Sequence, residues 1–183
     1  VYLTRWLGCW SVALTVGSYF FADHICSGPL SKVSVTSFQE LQRDKIGCVD
    51  LIHTLRRMGW QLAFSPSIVT DECGLSSGTA LLARKGVGFA KLDSRPFDCS
   101  PAASPGRLTI AWANVVQPGG ILVDSIYAWH TEGLTARNRQ IILKEGEVAV
   151  VHGAPFVLAG DCNLDPQIRS ESGLLSVLGM TVC

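Results

Sequence analysis

The stretch "FVLAGDCNLDP", Phe156–Pro166, decides how this chain is read. Four apolar residues, Phe156–Ala159, follow Gly153 and Pro155 and run straight into Gly160, Asp161, Cys162 and Asn163. A short apolar run bounded by glycine and proline predicts a strand buried on both faces, although the run alone also fits a buried helical segment. Gly160 is expected to end it. Side chains two apart on a strand point to the same side. If the extended conformation persists, Asp161 and Asn163 project together from the strand end. An anionic oxygen beside an amide suits a hard divalent cation with a phosphate oxygen next to it. A plain turn fits the same letters, because Asp, Asn and Pro are turn residues and Asx side chains cap turns locally. Spacing alone leaves both readings open.

The rest of the composition bounds the answer. With 183 residues, 48% of them hydrophobic, the chain is one domain long enough for a packed core. Its net charge of zero gives no electrostatic case for nucleic acid, which favours a basic face. A polyanionic substrate stays open, since a bound metal brings its own positive charge. Seven cysteines, an odd number, form no C-x-x-C pair and no zinc-spaced cluster with histidine. Unpaired thiols in a reducing, intracellular setting are the expectation, with Cys162 packing inside the fold. No phosphate-binding loop, dinucleotide fingerprint or nucleophile elbow is present. The glycines of "RKGVG", Arg84–Gly88, read as a turn, with Arg84 at a solvated strand end.

From Trp6 to Ala22 the chain carries no charge, close to the lower limit of the roughly 17–25 residues of a membrane span. A signal anchor fits this stretch; so do one or two core strands, which its Val, Thr, Tyr and Phe favour. Membrane association through residues 6–22 is therefore not the preferred reading. "KVSVTSFQE", Lys32–Glu40, alternates and predicts a strand ending in an acid. Cys48, Leu51, Ile52 and Leu55 then follow helical spacing, closed by Gly59. "GTALLARKG", Gly78–Gly86, predicts a strand, and a Ser- and Pro-rich loop follows from Ser94 to Arg107. Leu108–Val116 and Gly120–His130 flank a turn at Gln117–Gly120 and predict an antiparallel hairpin. "LTARNRQIILKEGEVAVV" reads as a helix weakened by Gly146, and "SGLLSVLGM" as a short final helix. His53 and His130 are expected at the surface. Mixed strands and helices with hairpins favour two packed sheets covered by helices.

In this order, "FQE", "SGTALLARKG", "SIYAWH" and "VLAGDCNLDP" resemble the motifs of the endonuclease/exonuclease/phosphatase superfamily, the exonuclease III-like and DNase I-like enzymes. The resemblance spans roughly residues 32–182. It divides the chain into an apolar N-terminal segment, 1–30, of open role and a superfamily-like domain, 31–183. It implies an α/β fold, a four-layer sandwich of two packed mixed sheets flanked by helices. The implied activity is metal-dependent hydrolysis of phosphoesters by a nuclease, phosphodiesterase or phosphatase, on nucleic acid or another phosphoester. By resemblance, Glu40 ligates magnesium, or manganese in its place. Asp161 orients or activates the attacking water, and Asn163 holds a phosphate oxygen or helps bind that water. Tyr127 matches a polar residue near the scissile phosphate, although an ordinary strand aromatic fits it as well. No protein partner is evident.

The chain departs from the family pattern twice. No asparagine precedes Lys32, and the Ser-Asp-His type motif expected beyond Asn163 does not occur before Cys183. The resemblance therefore implies a truncated or degenerate member, incomplete at its C-terminus. Two alternatives follow: a non-catalytic remnant serving as a binding or scaffold domain, and a fragment of a retroelement-type polyprotein. None of the four histidines takes the place of the family's catalytic one in the sequence order.

Overall fold

The computed structural model describes residues 3–6, 9–13, 35–40, 45–70, 74–92, 106–115, 118–130, 132–163, 171–173 and 176. Eleven strands and two helices are built from them. The first sheet has the order β1 (Leu3–Trp6), β2 (Cys9–Ala13), β3 (Val35–Gln39), β7 (Thr79–Arg84), β4 (Trp60–Ser65). The second has the order β11 (Phe156–Asp161), β10 (Ile121–Tyr127), β9 (Leu108–Ala113), β8 (Phe89–Lys91). β5 (Ile68–Val69) and β6 (Leu75–Ser76) form a small hairpin of their own. Both large sheets are mixed: β2–β3 and β10–β11 are parallel, and the other pairs are antiparallel.

Strand alternation sorts the side chains into layers. On β3, β7, β9 and β10, Val35, Leu81, Ala83, Ala111, Ala113, Ile121 and Val123 turn inward and fill the space between the sheets, with Ala63 of β4. The alternate residues turn outward. Phe38, Ala80 and Leu82 meet Leu55 of helix α1 (Lys45–Arg57) and Trp60. Ile110, Leu122 and Ile126 meet Ile141, Ile142, Val148 and Ala149 of helix α2 (Ala136–His152). Helix, sheet, sheet and helix therefore stack as four layers. Fully burying one Leu, Ile or Phe contributes about 1.5–3 kcal/mol, so these three sets supply the main drive for the architecture.

The inter-sheet core is apolar at one end and polar at the other. Gln39 pairs in register with Thr79, and Ser125 with Thr109. At that end the Thr79 and Thr109 hydroxyls lie 2.8 Å apart, and the Ser37 hydroxyl donates to Ser125 Oγ at 2.8 Å. Ser125 donates in turn to the Phe38 carbonyl at 2.9 Å. Gln39 Nε2 reaches Ser37 Oγ at 2.6 Å and Ser125 Oγ at 3.1 Å. Buried hydroxyls that satisfy one another fix the sheets' relative position in a way that interchangeable methyl groups do not.

Several elements differ from the sequence reading. Trp60–Ser65 is a strand that pairs with β7 and was not foreseen. The strand at Leu3–Trp6 was not foreseen, whereas Cys9–Ala13, a strand parallel to β3, agrees with the preferred reading of residues 6–22 as one or two strands. Among the described residues no helix is long and apolar enough to cross a membrane. β11 is half-buried along its length, because it lies at the edge of its sheet. Gly160 does not end it: the strand runs through Gly160 to Asp161. A Cβ on Gly160 would sit 2.1 Å from the Ile126 carbonyl oxygen, so glycine is what lets the two backbones approach. Helix α2 runs through Gly146 and ends at Gly153, whose N–H caps the last turn in a left-handed conformation. Residues 14–34 lie outside the described residues, as do nearly all of the Ser/Pro-rich loop from Ser94 and most of the final helix over Ser172–Met180.

Candidate active site

Three strand ends meet at the polar edge of the core. β3 delivers Gln39 into the buried hydroxyl network and then stops, because Glu40 turns to φ 55°. β10 delivers Tyr127, and β11 delivers Asp161, its register partner across the parallel pair. The Tyr127 phenol donates a hydrogen bond to Glu40 Oε1, joining the second sheet to the end of the first. Burial, together with the hydrogen bond to Glu40 and its charge, pushes the Tyr127 phenol up to about 12. Asp161 adds to the rise and Arg107 opposes it. The tyrosine is thus a protonated donor throughout the neutral range.

Asp161 and Asn163 come together by a turn, not by extended backbone. Asn163 adopts φ 46°, and its N–H bonds to Asp161 Oδ1 at 2.8 Å. This is the Asx turn that spacing left open, and here the turn itself builds the site. Asn163 Nδ2 donates to the Ala128 carbonyl at 2.7 Å, and Ala128 N–H bonds to the Asp161 carbonyl at 2.9 Å. The ends of β10 and β11 are therefore laced by side chain and backbone alike. Cys162 between them points into the cluster of Ile126, Ile141 and Ile142, as a packing residue does.

Three further residues were not foreseen in these roles. His130 is exposed, as expected, yet it also reaches the site: its Nδ1 lies 3.1 Å from Asn163 Oδ1. Arg107 is buried, and its Nη1 donates to the carbonyls of Tyr127 (3.2 Å) and Ala128 (3.4 Å). Its guanidinium lies 5.1 Å from the Tyr127 ring centroid and 4.2 Å from that of Trp129, and burial lowers its pKa from the usual arginine value. Asn138, fully buried on α2, accepts from Trp129 N–H at 2.8 Å and donates to the carbonyls of Trp129 and Gly133. It clamps the loop that carries His130. An Asn one turn ahead of the buried Ile141 and Ile142 was the available signal, since that helix face is otherwise apolar. Arg84 lies elsewhere: β7 carries it to the opposite end of the first sheet, where it stacks on Trp60 at 4.7 Å.

Among the described residues no group of three or more His, Cys, Asp or Glu is placed to hold a metal ion. The donor set still fits magnesium, which takes oxygen ligands and keeps several of its own waters around one or two carboxylates. Glu40, anchored through one oxygen by Tyr127, is such a carboxylate. Soft or nitrogen-rich sites that would select zinc or copper are not formed by these residues.

No protein-family model matches the sequence, and no curated protein matches it. Solved structures do. The human nocturnin catalytic domain, with bound sulfate, matches at TM-score 0.54 and 14% identity over 86% of this chain and 60% of that one. D. rerio TDP2, complexed with a single-strand DNA product, matches at 0.52 and 14% over 90% and 58%. ANGEL2, described as a 2',3'-cyclic phosphatase, matches at 0.56 and 16% over 88% and 48%. The chain thus spans about half to three fifths of the length of these three structures. All three belong to the endonuclease/exonuclease/phosphatase superfamily, and their likeness agrees with the layer order seen here. This chain has the DNase I-like, four-layer α/β fold of the endonuclease/exonuclease/phosphatase superfamily.

Proposed function

We propose that this chain carries a divalent-metal-dependent phosphoester hydrolase site at the polar edge of its two sheets. The observation that carries the reading is the convergence of Glu40, Tyr127, Asp161 and Asn163 from three strands that are far apart in sequence. Hydrolysis of a phosphoester is mostly positioning and charge neutralisation around phosphorus, and these side chains supply both. Glu40 would hold magnesium or manganese, which supplies a Lewis acid for the phosphoryl oxygens and a more acidic bound water. Tyr127 commits its proton to Glu40, so its role is to aim that carboxylate. Asp161, fixed through Oδ1 by the Asn163 backbone, orients the attacking water with its carboxylate. One N–H of the Asn163 amide goes to Ala128; the other is directed to a phosphate oxygen.

A phosphodiester within nucleic acid is the substrate class this reading favours. The TDP2 neighbour is a complex with a DNA product, and the ANGEL2 neighbour is named for a cyclic phosphate. An intracellular, reducing setting belongs to the same reading and rests on the odd number of cysteines.

The test is hydrolysis of bis(p-nitrophenyl) phosphate and of an abasic-site DNA duplex, with magnesium, with manganese and with EDTA. Metal-dependent turnover is expected, with a loss of at least about 10²-fold in Glu40→Gln and in Asp161→Asn. A folded wild type with no turnover of either substrate overturns the catalytic reading and leaves that of a binding or scaffold domain.

A further inference from the structure

We infer that His130 is the proton acceptor of this site, set in the required tautomer by Asn163. The inference rests on the hydrolase reading above and goes beyond it to a residue that no motif marks.

An amide decides the tautomer. Asn163 Nδ2 donates to the Ala128 carbonyl at 2.7 Å. A carbonyl cannot donate, so this bond fixes which end of the amide is nitrogen. The other end, Oδ1, faces His130 Nδ1 at 3.1 Å and can only accept. Nδ1 must therefore carry the hydrogen. In the neutral imidazole the lone pair is then on Nε2. This orienter–base arrangement, with one ring nitrogen held so that the other can take a proton, is the usual device of histidine bases.

The neighbours leave the role to His130. Tyr127 donates its proton to Glu40 Oε1 and is not placed to accept one. Asp161 Oδ1 accepts from the Asn163 N–H and Glu40 Oε1 from the Tyr127 phenol, so both carboxylates are engaged in holding the site together. Among the described residues, the other charged groups on the surrounding elements are Glu132 on the same loop, Arg137 at the start of α2 and Arg107 on the segment entering β9. Arg137 and Glu132 form their own ion pair at 3.1 Å. Asn138 holds the loop through Trp129, one residue before His130, so the imidazole stands on a fixed support.

In the step itself, the oxygen of water forms a bond to phosphorus while its proton passes to His130 Nε2. The bond from phosphorus to the leaving oxygen breaks with its electron pair, and that oxygen takes a proton from the imidazolium or from solvent. Atoms and charge balance with water as the only co-reactant.

The first measurement is the ¹⁵N–¹H correlation spectrum of the histidine side chains of the folded chain. The Nδ1–H tautomer is expected for His130 and should be lost in Asn163→Ala; an Nε2–H tautomer in the wild type overturns the inference whatever the activity. Kinetics follow with His130→Ala. Its turnover is expected to fall by roughly 10²–10⁴-fold, with loss of the acidic limb of the pH–rate profile and partial rescue by added imidazole. His130→Ala activity within about threefold of wild type, or an unchanged acidic limb, overturns the inference while the hydrolase reading stands. A wild type that hydrolyses no phosphoester overturns both.

Discussion

Ser37 of β3 and Ser125 of β10 meet hydroxyl to hydroxyl at 2.8 Å across the interface between the two sheets, and both are buried. Their bond sits two residues below Gln39 on one strand and two below Tyr127 on the other. It therefore sets the height at which Tyr127 faces Glu40.

Removing either hydroxyl leaves buried partners unsatisfied. Ser125→Ala strips the acceptor from Ser37 and Gln39 and the donor from the Phe38 carbonyl. A loss of about 1–3 kcal/mol is expected in urea denaturation. Ser37→Ala with Ser125→Ala should cost less than the sum of the single changes, because each single change already breaks the shared bond. Strict additivity would mean that the two hydroxyls act independently.

Among the described glycines, Gly160→Ala is expected to be the most damaging substitution by alanine. Its Cβ would meet the Ile126 carbonyl oxygen at 2.1 Å, and the position has φ 147°. Rigid backbone on both sides gives no outlet, so the loss should exceed the roughly 1–3 kcal/mol of ordinary overpacking. Thermal melting reads the loss. Retained stability would show that β11 can slide away from β10, and Asp161 with it.

Tyr127 should titrate near pH 12 by its phenolate absorbance, well above the ordinary value near 10. Because the folded form holds this proton more tightly than the unfolded one, the contribution to stability is complete below pH 10 and is lost as pH rises from about 10 to about 12. Glu40→Gln removes the charge and should bring the titration down. An unchanged midpoint would assign the shift to burial alone.

Asn138→Ala leaves Trp129 N–H and the carbonyls of Trp129 and Gly133 without their partner. A loss of roughly 2–4 kcal/mol is expected, with faster amide hydrogen exchange at Trp129 than in the wild type. A stable variant with unchanged protection would show that α2 alone holds the loop.

Much of the fold was legible because periodicity and burial agree in it. The hairpin of β9 and β10, the strand at Thr79–Arg84 and the helix through Leu55 follow directly from alternation or helical spacing. β4 escaped although "WQLAFS" alternates Trp60, Leu62 and Phe64 with Gln61, Ala63 and Ser65, because it starts directly after a helix cap and its inner face offers only the small Ala63 to the core. At the site, Glu40, Tyr127, Asp161 and Asn163 were legible as an ordered set of strand ends. How Asp161 and Asn163 meet was not, since a strand continuation and an Asx turn call for the same letters. His130 and Arg107 were hidden because their positions depend on contacts between segments distant in sequence. A histidine three residues after Tyr127 signals nothing until Asn163 is folded against it.

Glu40 and Asn163 both hold left-handed backbone, at φ 55° and φ 46°. Asparagine adopts that conformation readily, but for glutamate it carries a penalty of roughly 1–2 kcal/mol that glycine would remove. A redesign that ranked substitutions by backbone preference alone would therefore choose glycine at position 40 among its first improvements. It would relieve that strain but erase the carboxylate and, with it, the Tyr127 bond that ties the second sheet to the first.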